Sequence, residues 1–212
     1  MGYAIIAWDG PDSDRRMAVR ERHLAVITRW AEEGRLALGV PLFTPEWRPA
    51  GSLMVIEVAD RAGLDAYLAE EPFAVEGVWA RWQAHPFRIA PLPYRPLPRP
   101  GEPIAASRTH TVIIAMDGTD AAAPARRLAV REAHLARARL AAEDGTLAMG
   151  GAILDEAGVM RGSIAVTRHA TDEAARAWIA EDPYVTGGVW QEIALHGTRF
   201  APLPYRALPG AT

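Results

Sequence analysis

Cysteine is absent from this chain of 212 residues, so disulfide frameworks, thiolate nucleophiles and Cys-ligated metals are all excluded. That absence fits a reducing cytoplasm. There is no excess of basic charge: the formal net charge is −3, with acidic and basic residues interspersed. A phosphate-backbone partner calls for a basic face, so no nucleic-acid partner is expected. No apolar run approaches the length of a membrane span, and no membrane partner is expected. Met1-Gly2-Tyr3 enters a strand-like run without a basic n-region or a long h-region, which argues against a signal peptide and for a cytoplasmic protein. Glycine-rich phosphate loops are missing too, since Leu38-Gly39 and Gly150-Gly151 form neither a dinucleotide fingerprint nor a P-loop.

What is present is a duplication. A shift of 111 carries Val19-Arg20-Glu21-Arg22-His23-Leu24-Ala25 onto Val130-Arg131-Glu132-Ala133-His134-Leu135-Ala136. It also carries Gly77-Val78-Trp79 onto Gly188-Val189-Trp190, and the run from Ala90 to Arg95 onto that from Ala201 to Arg206. Roughly 36 of about 84 positions between Arg15 and Pro98 are identical to their counterparts. Two units of about a hundred residues follow, each large enough for its own core. The repeats span residues 1–98 and 108–212, each with a Pro-rich tail, and residues 99–107 read as a linker.

Within the first repeat, the apolar run Tyr3 to Trp8 ends at the turn Asp9-Gly10-Pro11 and reads as a buried strand. A helix is expected from about Asp14 to Glu33, stopped by Gly34. Strand candidates follow at Leu36 to Phe43 and Ser52 to Val58. Asp60 caps a second helix running through about Glu70, and Val78 to Phe87 makes a fourth strand. The order is β-α-β-β-α-β, a ferredoxin-like unit with helices on one sheet face. The bare face of each sheet needs cover. The expected fold class is therefore α+β: two ferredoxin-like repeats packed sheet to sheet as an intramolecular dimeric α+β barrel. The tails repeat Ala-Pro-Leu-Pro-Tyr-Arg where nothing is left to link, so each is expected to dock on the fold, with the opposite repeat as one possible seat. A further homodimer stays open.

Wound as a helix, Met17 to Glu33 gathers Met17, Val19, Leu24, Val26, Ile27, Trp30 and Ala31 on one arc. Arg20 and His23 fall inside that arc, three positions apart, and Arg131 and His134 repeat the pattern. An arginine in a core-facing stripe needs a carboxylate or a ligand. This points to a polar pocket in each repeat that accepts a small anionic molecule. The alternatives are a hydrogen-bonded core histidine and an arginine whose stem covers the core while its head meets water. Asp9 and Asp117 end the first strands and could reach the same pocket, although a turn-forming role before glycine is the simpler reading. His85 and His196 match between the copies and read as surface residues at a strand end. None of these sets has metal-ligand spacing, so no metal is expected. Trp79 and Trp190 read as core packing, with an aromatic wall as the alternative.

The strand with its Asp-Gly turn, the V-R-x-x-H-L helix, the E-x-G-x-L-x-x-G segment, the Gly-Ser-led strand and an acidic-Pro-aromatic motif together resemble the YciI-like (YCII-related) family. The match covers nearly all of each copy except the tails. Members of that family resemble dimeric α+β barrel proteins, and some are tandem duplications. The resemblance implies an enzyme built on a His and Asp pair; one relative is a dehydrochlorinase of chloroaromatic breakdown, and the wider group includes muconolactone isomerases. Carried over by position, the histidines are His134 and His23, and the acid is Asp182 in Asp182-Pro183-Tyr184. The first copy departs from the pattern with Glu71-Pro72-Phe73. If one site is degenerate it is expected to be the first. The implied activity is cofactor-independent acid/base chemistry of lyase or isomerase type, with Arg131 or Arg20 anchoring a carboxylate. The alternative is a non-catalytic small-molecule-binding or accessory module whose Arg-His-carboxylate cluster is structural.

Overall fold

A computed structural model describes residues 2–212; Met1, where the first repeat begins in the sequence, lies outside them. The first repeat forms β1 (Gly2–Asp9), α1 (Ser13–Glu32), β2 (Leu36–Phe43), β3 (Pro49–Ile56), α2 (Arg61–Glu70), α3 (Pro72–Val75) and β4 (Trp79–Ile89). The second forms β5 (His110–Asp117), α4 (Ala123–Asp144), β6 (Leu147–Leu154), β7 (Met160–Thr167), α5 (Asp172–Ala180), α6 (Pro183–Thr186) and β8 (Trp190–Thr198). Both follow the β-α-β-β-α-β order, with one addition that the sequence did not announce: the single-turn helices α3 and α6.

Those two turns exist because an acid caps a proline. The Glu71 carboxylate accepts the Phe73 N–H at 2.9 Å, and Asp182 accepts the Tyr184 N–H at 2.8 Å. Pro72 and Pro183 follow the cap, where a missing N–H costs nothing. The long helices are bounded by similar chemistry. Asp12 caps α1 by accepting from the Asp14 and Arg15 N–H groups. At the other end Gly34 takes φ 71°, its N–H reaching the Ala31 carbonyl, while Arg35 N–H returns to Trp30. α4 starts without a side-chain cap and ends on Gly145 at φ 81°.

In the first unit β1 lies between β3 and β4, and β3 also pairs with β2, all antiparallel; Ile5 stands opposite Met54 on one side and Ala84 on the other. In the second unit β5 lies between β7 and β8, with β6 beyond β7, and Ile113 stands opposite Ala165 and Leu195. Alternate residues of β1 (Tyr3, Ile5 and Ala7) join Ile27, Trp30, Tyr67 and Phe73 in one apolar cluster. The second cluster is smaller and centres on Ile113, Ala115, Ile179, Tyr184 and Trp190. Full burial of one such large side chain is worth about 1.5–3 kcal/mol.

The compact units do not coincide with the repeats. The first unit contains the chain through Phe87, Leu97–Ala106 and Arg199–Arg206; the second contains Arg88–Pro96, Ser107–Thr198 and Ala207–Thr212. Arg88–Pro96 of the first tail and Arg199–Arg206 of the second thus belong to the unit built on the other repeat. The Tyr94 hydroxyl donates to the Gly150 carbonyl at 2.9 Å and accepts the Gly150 N–H at 3.2 Å. Tyr205 does the same with Gly39, at 3.0 and 3.2 Å. The segment that reads as a linker also packs in the first unit, where Trp47 donates its indole N–H to the Ala106 carbonyl.

Candidate functional site

α1 presents His23 to the α3 turn. Its Nδ1 lies 2.7 Å from Glu71 Oε1, and the ring is stacked on Phe73 at 3.9 Å and 9°. The buried Glu71 uses its other oxygen to accept the Tyr67 hydroxyl at 2.9 Å. Burial, and then the Glu71 charge, push the Tyr67 hydroxyl well above its ordinary range. Opposite an ionised carboxylate, which can only accept, Nδ1 is the donor, and in the neutral ring Nε2 is then the acceptor. No described residue partners Nε2, and the ring lines a cavity of about 340 Å³.

The second unit repeats this arrangement with a shorter acid. His134 Nδ1 lies 2.8 Å from Asp182 Oδ1; the ring stacks on Tyr184 at 3.8 Å and meets the edge of Trp190 at 5.7 Å. The second oxygen of Asp182 faces Arg137 Nε at 3.8 Å, where the first unit has a tyrosine hydroxyl. The cavity is about 730 Å³, and Asp182 itself forms part of its wall. Its size has a local cause. At matched lining positions Ile27, Val40, Pro41 and Met54 are replaced by Ala138, Gly151, Ala152 and Ala165.

The arginines fall differently from the helical-wheel expectation. Arg20 and Arg131 are exposed, not buried: they line their respective cavities and have no hydrogen-bond or ion-pair partner among the described residues. Met17, also placed on the apolar arc, is exposed as well. The arginines tied into the fold are the half-buried Arg16 and the buried Arg127, one turn earlier on the helix. Arg127 Nη1 donates to both Asp117 oxygens at 2.7 Å, and Nη2 donates to Ser163 at 3.1 Å. Arg16 contacts Asp9 at 2.8 and 2.7 Å and Ser52 at 3.2 Å. Asp9 and Asp117 therefore serve as counter-ions close to the histidine stack. Burial raises the Asp9 carboxyl, with Arg16 opposing that shift. The guanidinium groups lie over the same motif rings, Arg16 4.7 Å from the Phe73 centroid and Arg127 4.5 Å from that of Tyr184. Arg15-Arg16 matching Arg126-Arg127, and Ser52 matching Ser163, are the repeat signals that could have found them.

His85 and His196 sit inside β4 and β8 and are half-buried, away from both cavities, and burial lowers the pKa of each. Both tryptophans are core residues, but their hydrogen bonding differs. Trp79 donates to Ser52 at 3.3 Å, whereas the Trp190 indole N–H is buried without an acceptor and its ring lines the larger cavity. Among the described residues no group of three His, Asp or Glu side chains is placed to hold a metal ion, and no helix is long and apolar enough to cross a membrane.

The YCII-related domain matches residues 1–88 and again 109–197. The chain belongs to that family, in duplicated form. Protein YciI of Escherichia coli is 37% identical over 90 residues, which is 40% of this chain and 90% of that protein. Among solved structures, a mutant chlorite dismutase from Candidatus Nitrospira defluvii superposes with TM-score 0.55 at 13% identity, covering 95% of this chain and 92% of that one. A heme-binding protein from Thermus thermophilus gives TM-score 0.52 at 10% identity, covering 93% and 90%. At such identities the likeness concerns fold alone. It puts the family's duplicated ferredoxin-like form in the dimeric α+β barrel fold class.

Proposed function

We infer that the second unit carries a cofactor-independent acid/base site for a small anionic organic molecule. The observation that supports this reading is the state of His134. Its Nδ1 is held by Asp182, its Nε2 has no partner among the described residues, and its ring lines an open cavity. In this reading Nε2 takes a proton from a carbon next to a carbonyl or carboxylate group. The electron pair of that C–H bond becomes a C=C bond. The reaction ends either with a leaving group on the adjacent carbon departing with its bonding pair or, where a C=C bond is already conjugated to that carbon, with the displaced π pair taking the proton back at the far carbon, so its class is lyase or isomerase. Asp182 orients the imidazole, and Arg131 holds the substrate's acidic group, since a guanidinium suits a carboxylate bidentately. A positioned base of this kind contributes about 10²–10⁴-fold. His23 with Glu71 is the weaker copy, because its cavity is smaller and its acid lies outside the wall.

A binding or accessory module is the competing reading, and one observation favours it. Arg16 and Arg127 are already neutralised by Asp9 and Asp117, so part of the cluster is a closed ion-pair network. The deciding experiment incubates the protein with a panel of small unsaturated and aromatic acids in deuterated water and follows the C–H signals by proton NMR. Exchange or conversion of at least one acid, abolished in His134→Gln, is the expected result. Binding without any exchange would establish the module instead.

A further inference from the structure

We propose that the cavity of the second unit takes a two-headed anion, a dicarboxylate or an equivalent molecule with two acidic groups, held between separated guanidinium groups. The proposal deepens the acid/base reading and rests on it for placing one head group beside His134. Its starting point is charge. Arg88, Arg131 and Arg139 all line this cavity, and none has a hydrogen-bond, ion-pair or ring partner among the described residues. The other charged groups of the wall are already engaged, Arg127 by Asp117 and Asp182 by His134. Only Glu132 remains to oppose the three guanidinium groups. Like charges gathered around one cavity, Arg88 from β4 and Arg131 and Arg139 from α4, repel, and an anion between them relieves that cost.

The spacing sets the shape of the ligand. Arg131 and Arg139 are eight residues apart on α4, about 12 Å along the axis at about 1.5 Å per residue, with His134 between them. The wall they share is apolar at Leu135, Ala138 and Leu147. A ligand with an acid near each guanidinium and a hydrocarbon body between them fits both the charge and the 730 Å³ of space. The first unit lacks this arrangement. Thr28 stands where the second has Arg139. Arg199, the counterpart of Arg88, donates to the Ala105 and Ala106 carbonyls. Arg16 and Arg199 line the cavity of about 340 Å³ but are engaged, which leaves Arg20 as its unpartnered guanidinium among the described residues, a setting that suits a monoanion.

The test compares hexanoate with adipate and decanoate with sebacate by isothermal titration calorimetry on the whole protein. One diacid should bind about tenfold or more tightly than the monoacid of its length, the factor expected for one added charge-assisted contact. Arg139→Thr, a change at an exposed helix position checked by an unaltered melting curve, should erase that preference while keeping monoacid affinity. Arg131→Gln should weaken both acids. Equal affinity for monoacids and diacids, an unchanged ratio in Arg139→Thr, or no binding of any acid in the series would overturn the proposal. Failures remain separable: proton exchange by His134 without a diacid preference sinks this inference alone. Tight diacid binding that survives in His134→Gln, with no exchange in the wild type, keeps it and sinks the acid/base reading.

Discussion

In the first unit the carboxylate that holds the histidine is sealed in: Glu71 takes His23 and a backbone N–H on one oxygen and the Tyr67 hydroxyl on the other, and no part of it reaches the cavity. In the second unit Asp182 takes His134 and a backbone N–H on one oxygen, leaves the other 3.8 Å from Arg137, and forms part of the wall of a cavity about twice the size. One ancestral arrangement has thus diverged in two directions, toward a saturated network and toward an open one. Saturation favours stability, since a buried acceptor with all its donors carries no desolvation debt. An open nitrogen, an unpaired guanidinium and spare volume favour binding.

The largest effect that could break this contrast is on chemistry. Asp182→Asn should cut proton exchange about 10²–10⁴-fold, because the imidazole loses the group that fixes its tautomer, while Glu71→Gln should leave the rate near wild type. Equal losses in the two variants, measured by deuterium incorporation, would mean that the sites are equivalent. Next comes the shared ion pair. Asp117→Ala strands Arg127 in a pair whose side chains are 8% and 6% exposed, at a cost of about 3–5 kcal/mol in urea unfolding. Asp9→Ala should fall at or below that value, its pair being 12% exposed on each side. Tyr67→Phe sharpens the comparison further. It removes a hydrogen bond to a buried carboxylate that the second unit does not make with Trp178, and it should cost about 1.5–3 kcal/mol.

The smallest effect concerns the tails. Burial raises the hydroxyl pKa of Tyr94 and Tyr205, with the Gly150 and Gly39 backbone bonds opposing. A folded pKa above the unfolded value of about 10 means that their contribution is complete below about pH 10 and is lost as pH rises further. Tyr94→Phe and Tyr205→Phe should each cost about 1 kcal/mol at neutral pH and make the alkaline loss of stability shallower, by similar amounts if the two tails are equivalent. Denaturant midpoints collected between pH 7 and pH 11 would reveal any inequality.

Much of this fold is legible in the sequence. Asp60 as a cap, Gly34 as a helix stop and the alternation in the strands follow from local chemistry, and the elements appear in the expected order, although β3 runs Pro49–Ile56 where the pattern points to Ser52 to Val58. The pairing of His134 with Asp182 and of His23 with Glu71 was implied by the family motif, and the histidine and acid do meet. The arginine assignment was not legible. A wheel drawn from Met17 places Arg20 inward because it averages over a whole helix face, whereas the opening of the cavity turns that part of the face outward. Arg16, just ahead of the window, is the residue that closes on Asp9.

By itself the sequence determined the duplication, the β-α-β-β-α-β order and the residue types of the stack, because repeats, periodicity and caps are written in neighbouring positions. The tertiary structure alone decided which arginine is paired and which is free, how four large-to-small replacements add up to one larger cavity, and that Arg88–Pro96 and Arg199–Arg206 pack in the unit of the other repeat. Those outcomes depend on side-chain volumes and strand positions from segments far apart in the chain, and no local pattern encodes them.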